Sequence, residues 1–142
     1  MQADYPPSYL AGVQLFNRHD FFEAHEVWED LWAEEHGAAH LFLQGMIQIA
    51  VGLCHFCNGN LRGALKLYRT SRRYHDRCGE TFIYGWGLSD LWTRMERCSH
   101  EILHAEELTS DLEADPDLFP TLKLNPPPEE WPDVEDFLHE EE

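Results

Sequence analysis

Basic side chains are scarce in this sequence. Ten Lys and Arg stand against 27 Asp and Glu among 142 residues, so the formal net charge is −17 at pH 7. Residues 106–142 hold fourteen acids and one Lys, whereas residues 1–105 hold thirteen acids and nine Lys or Arg. A chain with this balance repels nucleic acid over most of its surface. We therefore expect an acidic tail on a nearly balanced body, with nucleic acid a disfavoured partner.

Targeting and membrane signals are also lacking. Met1–Pro7 has neither the basic nor the apolar region of a secretory signal. The longest apolar run, Leu41–Cys57, contains Gln44, Gln48 and His55, which are costly in lipid, so it indicates a buried core helix. Four cysteines in a chain without a signal are typical of reduced thiols. These features predict a cytoplasmic protein without membrane contact.

No long strand pattern and no repeat is present, and the fold class predicted is all-α. Five segments carry apolar residues at helical spacing, at about residues 9–17, 21–35, 39–58, 61–78 and 89–108. We predict a small helical bundle of about five helices over residues 1–112. Prolines interrupt the chain beyond it, so residues 113–142 should form an extended acidic strap. Trp131 and Phe137 are its candidate anchors, and residues 140–142 a frayed end.

The second predicted helix combines acids with aromatic residues. On a helical wheel His25 and Glu29 share the edge of its apolar face, beside Trp32 and close to Trp28, with Glu26 slightly further round. A carboxylate next to an imidazole orients the ring and stabilises its protonated form, which suits acid–base chemistry or ligand binding. The alternative is that the pair has a structural role alone and stabilises its own helix by roughly 0.2–0.5 kcal/mol.

The third predicted helix carries a polar stripe. Gln44, Gln48 and His55 project in nearly one direction, with Gly45 beside them. Because an unpaired buried amide costs on the order of 1–3 kcal/mol, these groups need partners. The nearest candidates in sequence are the polar residues of the second helix. We therefore predict a polar seam between the two helices, formed by His25, Glu26, Trp28, Glu29, Trp32, Gln44, Gln48 and His55.

Three linked motifs carry a family resemblance. Residues 22–32 read Phe-Glu-Ala-His-Glu-Val-Trp-Glu-Asp-Leu-Trp, residues 42–51 read Phe-Leu-Gln-Gly-Met-Ile-Gln-Ile-Ala-Val, and residues 58–64 read Asn-Gly-Asn-Leu-Arg-Gly-Ala. Together they resemble the domain-of-unknown-function 309 family over roughly residues 9–78. The resemblance implies a small prokaryotic helical bundle without an established activity. The family's motif positions fall on His25, Glu26, Trp28, Glu29, Trp32, Gln44, Gly45 and Gln48.

The fourth predicted helix places five cations on one face. These residues, named here the basic stripe, are Arg62, Lys66, Arg69, Arg73 and Arg77. They repel one another unless an anionic group lies nearby, and that group could be RNA, a phosphate ligand, the chain's own tail, or the acidic helix of a second copy. Because the tail is so acidic, neutralisation within the chain or between subunits is favoured.

Two further patterns suggest metals only weakly. Cys54-His-Phe-Cys57 lies inside a predicted helix, and zinc sites usually need two such pairs. Glu101-Ile-Leu-His104, with His100 one turn earlier, has the Glu-x-x-His spacing of di-iron bundles, which need two copies. We therefore predict buried free thiols and no metal site, and leave the identity of any cofactor open.

The favoured hypothesis is a non-catalytic module that binds a protein partner or forms a homo-oligomer. Aromatic residues dominate the energetics of many interfaces, so its contact candidates are Trp86, Trp92 and the Phe82–Trp86 loop.

Two alternatives remain open at this point. One is a small enzyme or metal-assisted hydrolase, in which His25 acts as general base, Glu29 orients it, and Glu26 and His55 are further polar members. This alternative requires a solvent-reachable pocket between the second and third helices. The other is phosphate or nucleic-acid binding through the basic stripe. No Gly-rich phosphate loop, Ser-His-Asp order or HExxH motif accompanies either.

Overall fold

The computed structural model describes residues 5–138. Within this range the chain forms six α-helices and one two-stranded hairpin, and the all-α class is confirmed. In chain order the elements are α1 (Pro7–Asn17), α2 (Phe21–Trp32), α3 (Gly37–Cys57), α4 (Leu61–Cys78), β1 (Phe82–Ile83), β2 (Trp86–Gly87), α5 (Leu88–Cys98) and α6 (His100–His104). Residues 140–142, the expected frayed end, lie outside the described range.

The bundle is built around α3. This helix packs against α2 on one side and most extensively against α4 on another, while α1 packs against α2. By length and composition alone α3 could cross a membrane, with a mean hydropathy of 1.4. Here ten of its residues are buried among neighbouring helices. This agrees with the core helix that the apolar run predicted.

The last predicted helix is interrupted at Ser99. Leu91 and Trp92 of α5 join the main core, whereas Ile102 of α6 packs in a small second cluster with Phe56. The apolar spacing continues through the break, so periodicity could not reveal it. The predicted single helix over residues 89–108 is therefore wrong, and the chain leaves helical structure after His104.

The stretch rich in glycine and aromatic residues forms a tight hairpin. Tyr84 and Gly85 occupy its turn with φ of 53° and 78°, which suits the two-residue turns that join antiparallel strands. Trp86 and Trp92 are only 5% and 6% exposed. They are core residues, so the expectation that they form a contact surface is wrong, although Phe82 is about half exposed.

The acidic strap lies on the bundle and contributes to its core. Its buried apolar side chains are Phe119, Leu122, Leu124 and Val134. Asn17 at the end of α1 holds the strap by two hydrogen bonds: its Nδ2 donates to the Leu122 carbonyl (3.0 Å) and its Oδ1 accepts from the Leu122 N–H (2.8 Å). Phe137 packs against the core as predicted, but Trp131 is 43% exposed and is not an anchor.

Candidate functional site

The predicted contact between His25 and Glu29 is present on the outer side of α2. Nε2 of His25 lies 3.8 Å from Oε1 of Glu29, whose side chain is 55% exposed. Nδ1 of His25 bonds with the carbonyl oxygen of Phe22, one turn earlier. The carbonyl can only accept, so Nδ1 carries a proton. Both ring nitrogens therefore face groups of α2 itself.

The two tryptophans of α2 have different environments. Trp28 is fully buried, and its Nε1 donates to the Tyr9 carbonyl at 3.1 Å. Gly12 makes room for its indole, because a Cβ there would overlap the ring. Trp32 is half-buried and stacks on His40, and its Nε1 has no hydrogen-bond partner within residues 5–138. Trp28 is thus a core residue that joins α2 to α1.

Two polar residues of the predicted stripe on α3, Gln48 and His55, point to α4 rather than α2. Oε1 of Gln48 accepts a hydrogen bond from the Thr70 hydroxyl of α4. His55 Nδ1 contacts Nδ2 of Asn60, the residue before α4, at 3.2 Å. In the described part of the chain no hydrogen bond joins these groups or Gln44 to His25, Glu26 or Glu29. The expected pairing across the α2–α3 interface is therefore wrong, because α2 presents mainly apolar side chains to the core.

A buried histidine on α4 was not foreseen from the sequence. His75 is 3% exposed and stacks on Phe42 of α3, with the ring planes 10° apart. Its Nε2 donates to the Phe42 carbonyl (3.0 Å), and its Nδ1 accepts from Trp92 Nε1 (3.0 Å). Gly45 leaves the space for this ring, since a Cβ there would overlap it. The signal that could have found His75 was its place on the apolar side of α4, one turn after Ser71.

This arrangement gives His75 a structural role. Burial lowers the pKa of its imidazole to about 4, although the bond to the Phe42 carbonyl opposes the shift in part. The ring is therefore neutral near pH 7, with both nitrogens hydrogen-bonded. It joins α3, α4 and α5 at one point.

The basic stripe lies on the solvent side of α4, and all five of its side chains are exposed. Within residues 5–138 none of them has a carboxylate oxygen within 4.0 Å. Arg77 instead lies over the ring of Tyr74, 5.8 Å from its centroid. The strap, bound to α1 and the hairpin, does not neutralise the stripe in this range. The favoured internal neutralisation is thus not found among the described residues.

A shallow groove runs along the basic stripe. Its volume is about 340 Å³, and two half-buried leucines, Leu65 of α4 and Leu108 from the chain after α6, line it together with four cations. Those cations are Arg62, Lys66, Arg69 and Arg73. No aromatic side chain lines this groove in the described structure. The groove therefore combines positive charge with a small apolar surface.

Three larger cavities lie elsewhere. One of about 560 Å³ lies between α5, α6 and residues 113–118, and one of about 390 Å³ lies beside it. A third, of about 470 Å³, lies between the end of α4 and α5, and His75 lines it. None of these cavities, nor the basic groove, is lined by a residue of the predicted polar seam on α2 or by Gln44 or Gln48.

The cysteine and Glu-x-x-His patterns do not assemble a metal centre in the described residues. Both cysteines of this pair are free thiols, but Cys57 is exposed at the end of α3 and Cys54 is half-buried, so the expectation that they are buried is wrong. Burial, and secondarily Cys54, raise the pKa of the Cys57 thiol. The rings of His100 and His104 lie 4.4 Å apart, but no group of three or more metal-ligating side chains is found within residues 5–138.

Comparison with known proteins bears on the motif region. No curated protein matches the chain. A family model described as Domain of unknown function (DUF309) matches residues 9–67, which include the predicted seam and the first two cations of the basic stripe and stop before His75. The resemblance carried by the three motifs is confirmed over these residues, and the description of the family assigns no activity.

Proposed function

We propose that the chain is a non-catalytic binding module that holds an acidic protein surface on the basic stripe of α4. The observation that carries the proposal is the set of five exposed cations on one helix face without a carboxylate neighbour in residues 5–138. Like charges spaced by single helical turns destabilise a helix, so such a face favours a partner of opposite charge. Leu65 and Leu108 favour a partner that carries apolar side chains among its acids.

The geometry gives less support to the enzyme alternative. A general base needs a reactant within hydrogen-bond reach, and His25 already contacts Phe22 and Glu29 of its own helix. The large cavities lie away from it.

Nucleic acid fits the groove less well than an acidic protein does. Single-stranded RNA and DNA are usually held by aromatic stacking as well as cations, and the groove lining offers no ring. The net charge of −17 adds long-range repulsion.

The proposal is tested by measuring the binding of a labelled helical peptide in which turns of Glu alternate with turns of Leu. The binding of a single-stranded RNA of similar charge is measured for comparison. The full chain should bind the peptide, more weakly at high salt. A Lys66→Ala/Arg69→Ala variant should lose affinity roughly fivefold to tenfold, given the usual strength of exposed ion pairs. The matched control, Arg18→Ala/Arg97→Ala, removes the same charge from exposed sites outside the stripe and should bind like the wild type.

Peptide binding that does not change in the Lys66→Ala/Arg69→Ala variant, or no binding by the monomeric chain at low salt, would overturn the proposal. Tight RNA binding without peptide binding would replace it with the nucleic-acid alternative.

A further inference from the structure

The outer side of α2 carries a second stripe with the spacing of the basic one. Phe22, Glu26, Glu29 and Ala33 follow one another at intervals of four, three and four residues, and the cations from Arg62 to Arg73 repeat those intervals. Each stripe therefore lies on one face of its own helix and extends over about 16 Å. We name Phe22, Glu26, Glu29 and Ala33 the acidic stripe.

An exposed aromatic ring heads the acidic stripe. Phe22 is 54% exposed, more than any other large apolar side chain in residues 5–138, and within α2 it contacts His25. A large apolar side chain flanked by carboxylates is the kind of surface that the basic groove suits. That groove offers Leu65 and Leu108 between its cations.

The two stripes cannot pair within one molecule. α3 lies between α2 and α4 and packs extensively against both, whereas α2 and α4 share no substantial contact in the described structure. Each stripe also faces away from the helix that separates them, because α2 and α4 bury their opposite sides. Opposite charges are thus held on two separate outer faces of the same molecule.

We propose that the partner of the basic stripe is the acidic stripe of a second copy of this chain. This inference rests on the proposed function and names the partner. Glu26 and Glu29 of one protomer lie against the cations of the other, and Phe22 packs on Leu65 and Leu108. Because the two stripes lie on separate outer faces, the contact is head to tail: a dimer is joined by one such contact and keeps one free stripe of each sign, so it can extend into a ring or a chain.

The net charge does not prevent this pairing at ordinary ionic strength. At about 0.15 M salt the Debye length is roughly 8 Å, so repulsion between the acidic tails of two protomers is largely screened. Ion pairs at contact distance survive that screening better. The dimer should therefore form at about 0.15 M salt and weaken when salt is raised to about 1 M.

A charge-swap experiment on the full chain tests the dimer by analytical ultracentrifugation. Arg69→Glu/Arg73→Glu cancels the positive charge of the groove, since Arg62 and Lys66 then stand beside two carboxylates, and Glu26→Lys/Glu29→Lys makes the stripe of α2 basic. Each double variant alone should be monomeric, because one variant has no basic stripe and the other has no acidic stripe. A mixture of the two should form a one-to-one dimer, because the unchanged acidic stripe of the first variant then meets the unchanged basic stripe of the second.

Matched controls separate this effect from general charge changes. Arg18→Glu/Arg97→Glu makes the same change in charge outside the stripes and should leave the dimer intact. Phe22→Ala should raise the dissociation constant at least tenfold, whereas Phe82→Ala, at a ring of similar exposure on the hairpin, should not change it. Far-UV circular dichroism of each variant checks that the helices are retained.

The dimer is overturned if the wild type stays monomeric at about 0.5 mM, if the single-stripe variants dimerise like the wild type, or if their mixture does not associate. Acidic-peptide binding distinguishes the two proposals. A monomeric wild type that still binds the peptide refutes only the dimer, whereas a chain that binds no peptide in the monomeric Glu26→Lys/Glu29→Lys form refutes the proposed function as well.

Discussion

His75 illustrates how a single polar residue can be accommodated in an apolar core. Its two nitrogens are matched to one acceptor and one donor, which fixes the neutral tautomer with the proton on Nε2. Protonation would place a second N–H against the indole N–H of Trp92, which has no electron pair to offer. The charged ring is therefore disfavoured by burial and by the loss of that hydrogen bond.

The stability of the protein should consequently depend on pH through His75. Between pH 6.5 and about 4 the unfolded chain binds a proton at this residue and the folded chain does not, so stability falls as the pH falls. The contribution is complete above pH 6.5, and the loss amounts to roughly 3 kcal/mol at pH 4. Urea denaturation at a series of pH values should give a steeper decline for the wild type than for His75→Gln. Parallel curves for the two proteins would contradict this assignment.

At this scale the sequence predicted contacts within one helix but not those between helices. The His25–Glu29 contact follows from a spacing of four residues on α2. The partner of Gln48 lies 22 residues away on α4, and its identity depends on how the helices are rotated against each other. The contacts of His75 could not be predicted for the same reason, because its hydrogen-bond partners come from α3 and α5.

Among the elements, the link between α1 and the strap depends on one amide. Asn17 bonds both the N–H and the carbonyl of Leu122, as a neighbouring strand would. Backbone groups on this stretch would otherwise need water or lose their partners on burial.

Asn17→Ala should therefore loosen the strap and lower the free energy of unfolding by about 1–3 kcal/mol. Limited proteolysis should cut residues 113–130 sooner in the variant than in the wild type. Asn58→Ala is the control, because Asn58 is exposed and its side chain makes only a weak contact with Cys54 Sγ, at 3.7 Å. Equal cleavage rates for Asn17→Ala and Asn58→Ala would count against the role given to Asn17.

The helices themselves were largely readable from the sequence. The predicted bounds of α4, Leu61–Cys78, agree with the structure, because a strongly two-faced pattern ends at Gly79 in the left-handed region. The break at Ser99 and the hairpin at Phe82–Gly87 were not predicted, since neither interrupts the apolar pattern clearly. Tertiary packing decides such features.

For the molecule as a whole, the acidic C-terminal region is part of the folded body. The four buried apolar side chains of the strap each contribute about 1.5–3 kcal/mol, a sum comparable to the total stability of a domain. The strap predicted over residues 113–142 thus shares the core of the bundle in its described part, residues 113–138.

A chain ending at residue 112 should not fold cooperatively. Thermal unfolding followed by circular dichroism should show a broad transition or none, whereas the full chain should unfold in a single step. The matched control ends at residue 138 and keeps every buried side chain of the strap. A sharp transition at the wild-type temperature for the 112-residue form would show that the strap is dispensable.

The close approach of Gly45 and His75 has an evolutionary consequence. The family match covers Gly45 and ends at residue 67, before the ring that fills the space above it. In relatives of this chain the two positions should covary: a larger residue at the first requires a smaller one at the second. A coupled exchange at this pair would mark subgroups whose α3 and α4 approach each other at a different distance.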